Sequence, residues 1–120
     1  MRAKAFLVAA IAAGALFLAV PAFADGHSDA KAQVEFGWQV AMKGLWNEAA
    51  FRWERAIELD PTYAAAWNNL GIAYEQQGKF DLARKAYEKA ITLDPNNNFI
   101  RQNYDLFREI YDRQNRRRDR

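Results

Sequence analysis

The residues able to do chemistry are few. The 120-residue chain has no cysteine and one histidine, His27. This excludes a disulfide scaffold, a thiolate metal centre and a cysteine nucleophile. A nucleophilic triad needs a hydroxyl, an imidazole and an orienting carboxylate drawn from separate points of the chain. Beyond residue 24 the hydroxyls of that kind are Ser28, Thr62 and Thr92, and the serine adjoins the histidine. The sequence therefore nominates no catalytic residue, and a non-enzymatic protein is expected.

Two other features carry charge or metal chemistry. If the chain is cut after Ala24, Asp25-Gly26-His27 becomes its start. A free amine, two amides and the His27 imidazole then offer four nitrogens in a plane, which suits Cu(II) or Ni(II). Asp25 and His27 are the conditional metal ligands, though chance occurrence explains so short a motif better than a physiological role. At the other end, Arg113–Arg120 holds five arginines and one aspartate. Such a tail suits an anionic membrane surface or an acidic partner. Cations at a helix C-terminus also favour the helix dipole. Without a basic face studded with aromatics, no nucleic-acid interface is expected.

The first 24 residues read as a secretory signal. Arg2 and Lys4 precede an uncharged apolar run from Ala5, Pro21 breaks it, and Ala22-Phe23-Ala24 offers a small-x-small cleavage site. Export to a periplasm or beyond is expected. The alternative is an uncleaved anchor, since Ala5–Ala24 is roughly long enough to span a ~30 Å hydrocarbon core. That alternative makes the protein an accessory subunit of a membrane complex.

The remaining chain repeats itself. A shift of 34 residues aligns Ala30/Ala64, Gly37/Gly71, Gly44/Gly78, Ala49/Ala83, Ala56/Ala90 and Asp60-Pro61/Asp94-Pro95 without a gap. In the second copy, Trp67, Leu70, Gly71 and Tyr74 fall on one helical face. Gly78-Lys79 makes a turn, Asp81 is placed to cap the next helix, and Ala83, Ala86, Tyr87, Ala90 and Ile91 form its buried face. Gly71 and Ala83 mark the close approach. Two such copies and a following helix predict an all-α fold of five helices. Its segments are 25–29 as a flexible start, repeats at 30–63 and 64–97, a cap helix at 98–114 and a basic tail at 115–120.

This 34-residue period resembles the tetratricopeptide repeat, with its Trp-Leu-Gly-Tyr first helix, Ala-Tyr-Ala second helix and terminal proline. Residues 64–97 are close to that pattern. Residues 30–63 depart from it, with Gln33, Val40 and Trp53 at three aromatic positions. The resemblance implies a short solenoid of antiparallel helix pairs whose first helices line a concave groove for a peptide or helix of another protein. By register the groove carries Lys31, Val34, Glu35, Trp38, Ala41 and Met42, then Ala65, Asn68, Asn69, Ile72, Glu75 and Gln76, then Phe99, Gln102, Asn103, Leu106 and Glu109. Trp38 and Met42 are the expected apolar anchors, and the Asn68 and Asn69 amides the expected main-chain contacts. Members that grip a C-terminal carboxylate use lysine, arginine and asparagine at positions held here by Val34, Trp38, Asn69, Phe99 and Asn103. Only Asn69 agrees, so a carboxylate clamp is not expected.

Overall fold

The computed structural model describes residues 26–120. The expected signal and anchor segment, the cleavage point and Asp25 lie outside the described residues. Five helices and no strand are found among the described residues: α1 (Gly26–Ala41), α2 (Trp46–Leu59), α3 (Ala64–Gln76), α4 (Phe80–Leu93) and α5 (Asn98–Arg118). None of them is long and apolar enough to cross a membrane.

Two helix pairs stack, and α5 closes the second. The turns α1–α2 and α3–α4 are equivalent under the 34-residue shift. Gly44 (φ 77°) and Gly78 (φ 74°) take the left-handed conformation there, which costs glycine nothing and an L side chain about 1 kcal/mol. Leu59 and Leu93 end α2 and α4 before the two Asp-Pro steps. Proline cannot continue the hydrogen-bond ladder, and it disfavours helix in the residue before it.

Within each pair an aromatic ring lies flat against a glycine. A Cβ on Gly71 would stand 2.9 Å from the Tyr87 ring, and one on Gly37 would stand 2.8 Å from two Trp53 ring carbons. Both distances are shorter than van der Waals contact allows. Trp53 and Tyr87 are themselves 34 residues apart and almost wholly buried. Trp53 donates its indole N–H to the Val34 carbonyl at 3.2 Å. The rest of the first core is mainly alanine, with Ala49, Ala56, Ala66 and Ala73 fully buried. Small residues let the helix axes approach, and the two aromatics supply the apolar bulk. A second core joins Tyr87 to Phe107 of α5, with ring centroids 5.4 Å apart.

Four tyrosine hydroxyls reach across helix interfaces to carboxylates. Tyr74 donates to Glu54 at 3.2 Å, Tyr87 to Glu75 at 2.6 Å, Tyr104 to Glu88 at 3.2 Å and Tyr111 to Asp81 at 2.8 Å. Burial pushes the Glu75 carboxyl up from its ordinary range. Burial, reinforced by Glu75, pushes the Tyr87 hydroxyl far up, so it stays a donor.

Three expectations about element boundaries need correction. The start at 26–29 is helical, because α1 begins at Gly26. Asp81 does not cap α4: Lys79 holds the cap position without a side-chain bond, and Asp81 sits in the first turn. The cap helix runs four residues past 114 and absorbs Arg116, Arg117 and Arg118 of the expected tail. Tyr111 anchors that extension against α4, and arginine is a good helix former that suits a C-terminal turn.

Gly71→Ala should destabilise the chain by about 1–3 kcal/mol, although alanine gains roughly 1 kcal/mol of helix propensity, because the methyl strikes a packed ring. The measure is denaturant unfolding. Gly71→Ala combined with Tyr87→Phe should recover none of the loss, since the clash is with ring carbons and not with the hydroxyl.

Candidate groove on the first helices

The helices α1, α3 and α5 are equivalent under the same shift, so their side chains form rows. One row is Trp38, Ile72 and Leu106, and the next is Met42, Gln76 and Ile110. Met42 is 86% exposed, Leu106 61% and Ile110 44%. Trp38 is 37% exposed, and Ile72 is half-buried against the second core. Lys31 and Gln102 are exposed. The exposed parts of these residues form a largely apolar surface, with Gln76 and Lys31 among them, that stays open among the described residues.

Four expected groove residues are not available. Val34 (7% exposed) and Ala41 (4%) are buried in the first core. Asn68 (1%) and Asn69 (4%) are buried too, and they are hydrogen-bonded to neighbours. Asn103 of α5 donates to Asn68 Oδ1 at 3.1 Å. With its amide turned to satisfy both ends, Asn69 accepts from the Trp38 indole at 3.1 Å and donates to the Ala65 carbonyl at 3.3 Å. The opposite orientation offers only a longer contact, 3.4 Å, from Asn68. A polar ladder thus ties α1, α3 and α5 side by side. Buried amides need such partners, and the helix register alone does not show that the neighbouring first helix supplies them. The amides brace the groove floor instead of meeting a bound main chain. Asn69, the one residue shared with the carboxylate clamp, is committed to Trp38.

Trp38 also differs from the expectation that it points freely outward. Its ring meets Trp53 edge to face, with centroids 5.1 Å apart and planes at 69°. One side of the indole belongs to the core and the other lines the groove. The Tyr–carboxylate bonds went unanticipated in the sequence, although Tyr74, Tyr87, Tyr104 and Tyr111 all stand at core-edge positions where a hydroxyl needs a partner.

The remaining chemistry is structural. His27 Nδ1 lies 2.6 Å from Asp60 Oδ2, and the His27 ring stands edge-on to Tyr63 with centroids 5.0 Å apart. Thr62 gives Asp60 a backbone N–H at 3.1 Å and its hydroxyl at 2.7 Å. This is no triad, because the hydroxyl bonds the carboxylate and not the imidazole. Thr92 donates to the Glu88 carbonyl at 2.9 Å. Copper bound by residues 25–27 would need His27 Nδ1, the ring nitrogen that closes a six-membered chelate with its own amide. Asp60 occupies that nitrogen, so coordination there must break the pair. Among the described residues no cluster of three or more histidine, aspartate or glutamate side chains is placed to hold a metal.

The Thr62 hydroxyl, then the His27 contact, hold the Asp60 carboxyl below its ordinary range. A depressed carboxylate contributes stability that is present above the unfolded pKa, about 3.9, and lost as pH falls through the folded value. Acid melts should therefore show a steeper loss below about pH 4 for the parent than for Asp60→Asn. Equal slopes would remove Asp60 from the acid limb.

Known proteins agree with this architecture. A family model described as "Tetratricopeptide repeat" matches residues 64–97, the second repeat read from the sequence. A second, "TPR repeat", matches residues 42–78. The tetratricopeptide repeat domain-containing protein PYG7, chloroplastic, of Arabidopsis thaliana is 34% identical over 87 residues, covering 71% of this chain and 29% of its own length. The protein O-mannosyl-transferase TMTC1 of Mus musculus is 36% identical over 67 residues, covering 56% of this chain and 7% of its own. The chain thus spans less than a third of either relative. Among solved structures, the Arabidopsis OM64 TPR domain superposes with a TM-score of 0.68 at 23% identity, covering 73% of each chain. The Sgt2 TPR domain from Aspergillus fumigatus gives 0.66 at 26% identity, covering 70% of this chain and 57% of the other. With its helix pairs, glycine-seated aromatics and these likenesses together, the chain carries tetratricopeptide repeats, a protein-interaction module, folded as a short all-α solenoid.

Proposed function

We propose that the chain is a non-enzymatic adaptor that holds another protein on the row Trp38, Ile72 and Leu106, flanked by Met42 and Ile110, in a bacterial cell envelope. One observation carries the binding surface: apolar side chains at equivalent positions of the three first helices stay open or half-open on a floor that is already hydrogen-bonded. A preorganised surface loses less entropy on binding. Isolated exposed apolar residues need no explanation, but a contiguous apolar surface points to an interaction. The export part rests on Arg2, Lys4, the apolar run and Ala22-Phe23-Ala24.

Both parts are open to test. Protein recovered from an exporting bacterium should have an intact mass that begins at Asp25. A mass retaining Met1 in the membrane fraction would favour the accessory subunit held by its N-terminal segment. For binding, Met42→Ala with Leu106→Ala should stay within about 1 kcal/mol of the parent in denaturant unfolding, since surface changes usually cost under ~0.5 kcal/mol each. The same pair should weaken a co-purified partner by about 2 kcal/mol or more if these are anchors. Unchanged affinity would remove this face from the function. Trp38→Ala is a poorer probe, because it also strips contacts from Trp53 and Asn69 and should lower the melting temperature.

A further inference from the structure

The last helix carries two separate faces. Ile100, Tyr104, Phe107 and Tyr111 pack on the second repeat, with Ile100 2% and Phe107 0% exposed. At helical spacing, a second face runs through Phe99, Leu106, Ile110, Arg113 and Arg117. Phe99 and Leu106 are each 61% exposed. Over the last two turns, Arg113, Arg116, Arg117 and Arg120 surround a hollow of about 250 Å³. Glu109 also lies on this side and approaches Arg113 at 3.6 Å. Arg116 additionally bonds the Asp112 carbonyl at 3.2 Å. Asp105, Asp112 and Asp119 fall on the other side at helical spacing. The helix therefore presents one strip along its axis, mainly apolar from Phe99 to Ile110 with the Gln102 and Asn103 amides between Phe99 and Leu106, and cationic over its last two turns.

From this strip we infer the chemistry of the partner: a peptide segment whose apolar side chains lie along Phe99, Leu106 and Ile110 and which then runs into an acidic stretch beside the arginines. The inference rests on the groove reading and adds a direction and a charge to it. Charge complementarity selects the acidic stretch, because arginine forks bind carboxylates in bidentate geometry. The order along the helix selects a peptide over a lipid surface. A helix lying in a membrane interface separates apolar and basic residues around its circumference, so that all its turns bury to the same depth. Here the two classes are separated along the axis on one face, which matches a linear ligand read from end to end. The site differs from a grip on a terminal carboxylate, since its charges lie on the last turns of α5 and not at the positions of Val34, Trp38, Asn69, Phe99 and Asn103.

The experiment titrates the full chain with three synthetic 20-residue peptides: leucines at helical spacing followed by four glutamates, the same with four glutamines, and the first with its two halves exchanged. Fluorescence anisotropy is read at 50 and 300 mM salt. The glutamate peptide should bind at least tenfold tighter than the glutamine peptide at low salt. That advantage should shrink at high salt and vanish when Arg113, Arg116, Arg117 and Arg120 are all changed to Gln, with circular dichroism unchanged. Leu106→Ser should weaken both peptides alike. The exchanged peptide should lose most of the gain. Equal binding of the glutamate and glutamine peptides would overturn the acidic inference and leave the apolar groove standing. No binding of any peptide, with co-sedimentation on phosphatidylserine vesicles that the arginine changes abolish, would overturn it in favour of a membrane surface. No binding to peptide or vesicle would overturn it as well, assigning the arginines to the helix dipole and solubility.

Discussion

Each repeat depends on an aromatic ring seated on a glycine. Trp53 against Gly37 and Tyr87 against Gly71 set how closely the two helices of a pair approach. The approach in turn requires alanine through most of the surrounding core. Alanine buries little area, so the two rings carry a disproportionate share of the apolar burial, at roughly 25 cal/mol per Å². Their polar atoms must then be satisfied. The Trp53 indole takes the Val34 carbonyl, and the Tyr87 hydroxyl takes Glu75. From one steric constraint follow the helix spacing, the core composition and part of the hydrogen bonding.

A stack of such pairs leaves its first helices side by side. Their contact is polar at its centre, through Trp38, Asn69, Asn68 and Asn103. This ladder fixes the lateral spacing of α1, α3 and α5 as the ring–glycine contact fixes the spacing within pairs. The groove above it is braced without being polar, because the amides spend their hydrogen bonds on Trp38, the Ala65 carbonyl and Asn103. What remains exposed is the apolar row and its flank. The long α5 extends that surface past the second repeat and adds charge at one end.

Much of the fold was legible in the sequence because a repeat is a self-check. Each identity at a spacing of 34 restricts both copies, and the glycines at 37, 44, 71 and 78 each have one conformational or steric reason to be there. The cap helix was legible as an apolar periodicity, but its length was not. The arginines that extend α5 have no apolar period, and the Tyr111 contact with Asp81 that holds it is tertiary. Burial of Val34, Asn68 and Asn69 was hidden for the same reason. Register assigns a residue to a helix face, but only the neighbouring repeat decides whether that face is covered. His27 reads as a metal ligand in a free chain end, and the fold gives it to Asp60.

The central claim is that the open row on the first helices is where another protein sits. A photo-crosslinking amino acid placed singly at Met42, Leu106, Phe51 or Leu82 in cells addresses it directly. All four positions are exposed, the first two on the groove and the last two on second helices. The account predicts one shared crosslinked product of defined mass from Met42 and Leu106, and none of that mass from Phe51 or Leu82. That product arising from Phe51 or Leu82, with Met42 and Leu106 silent, would contradict it.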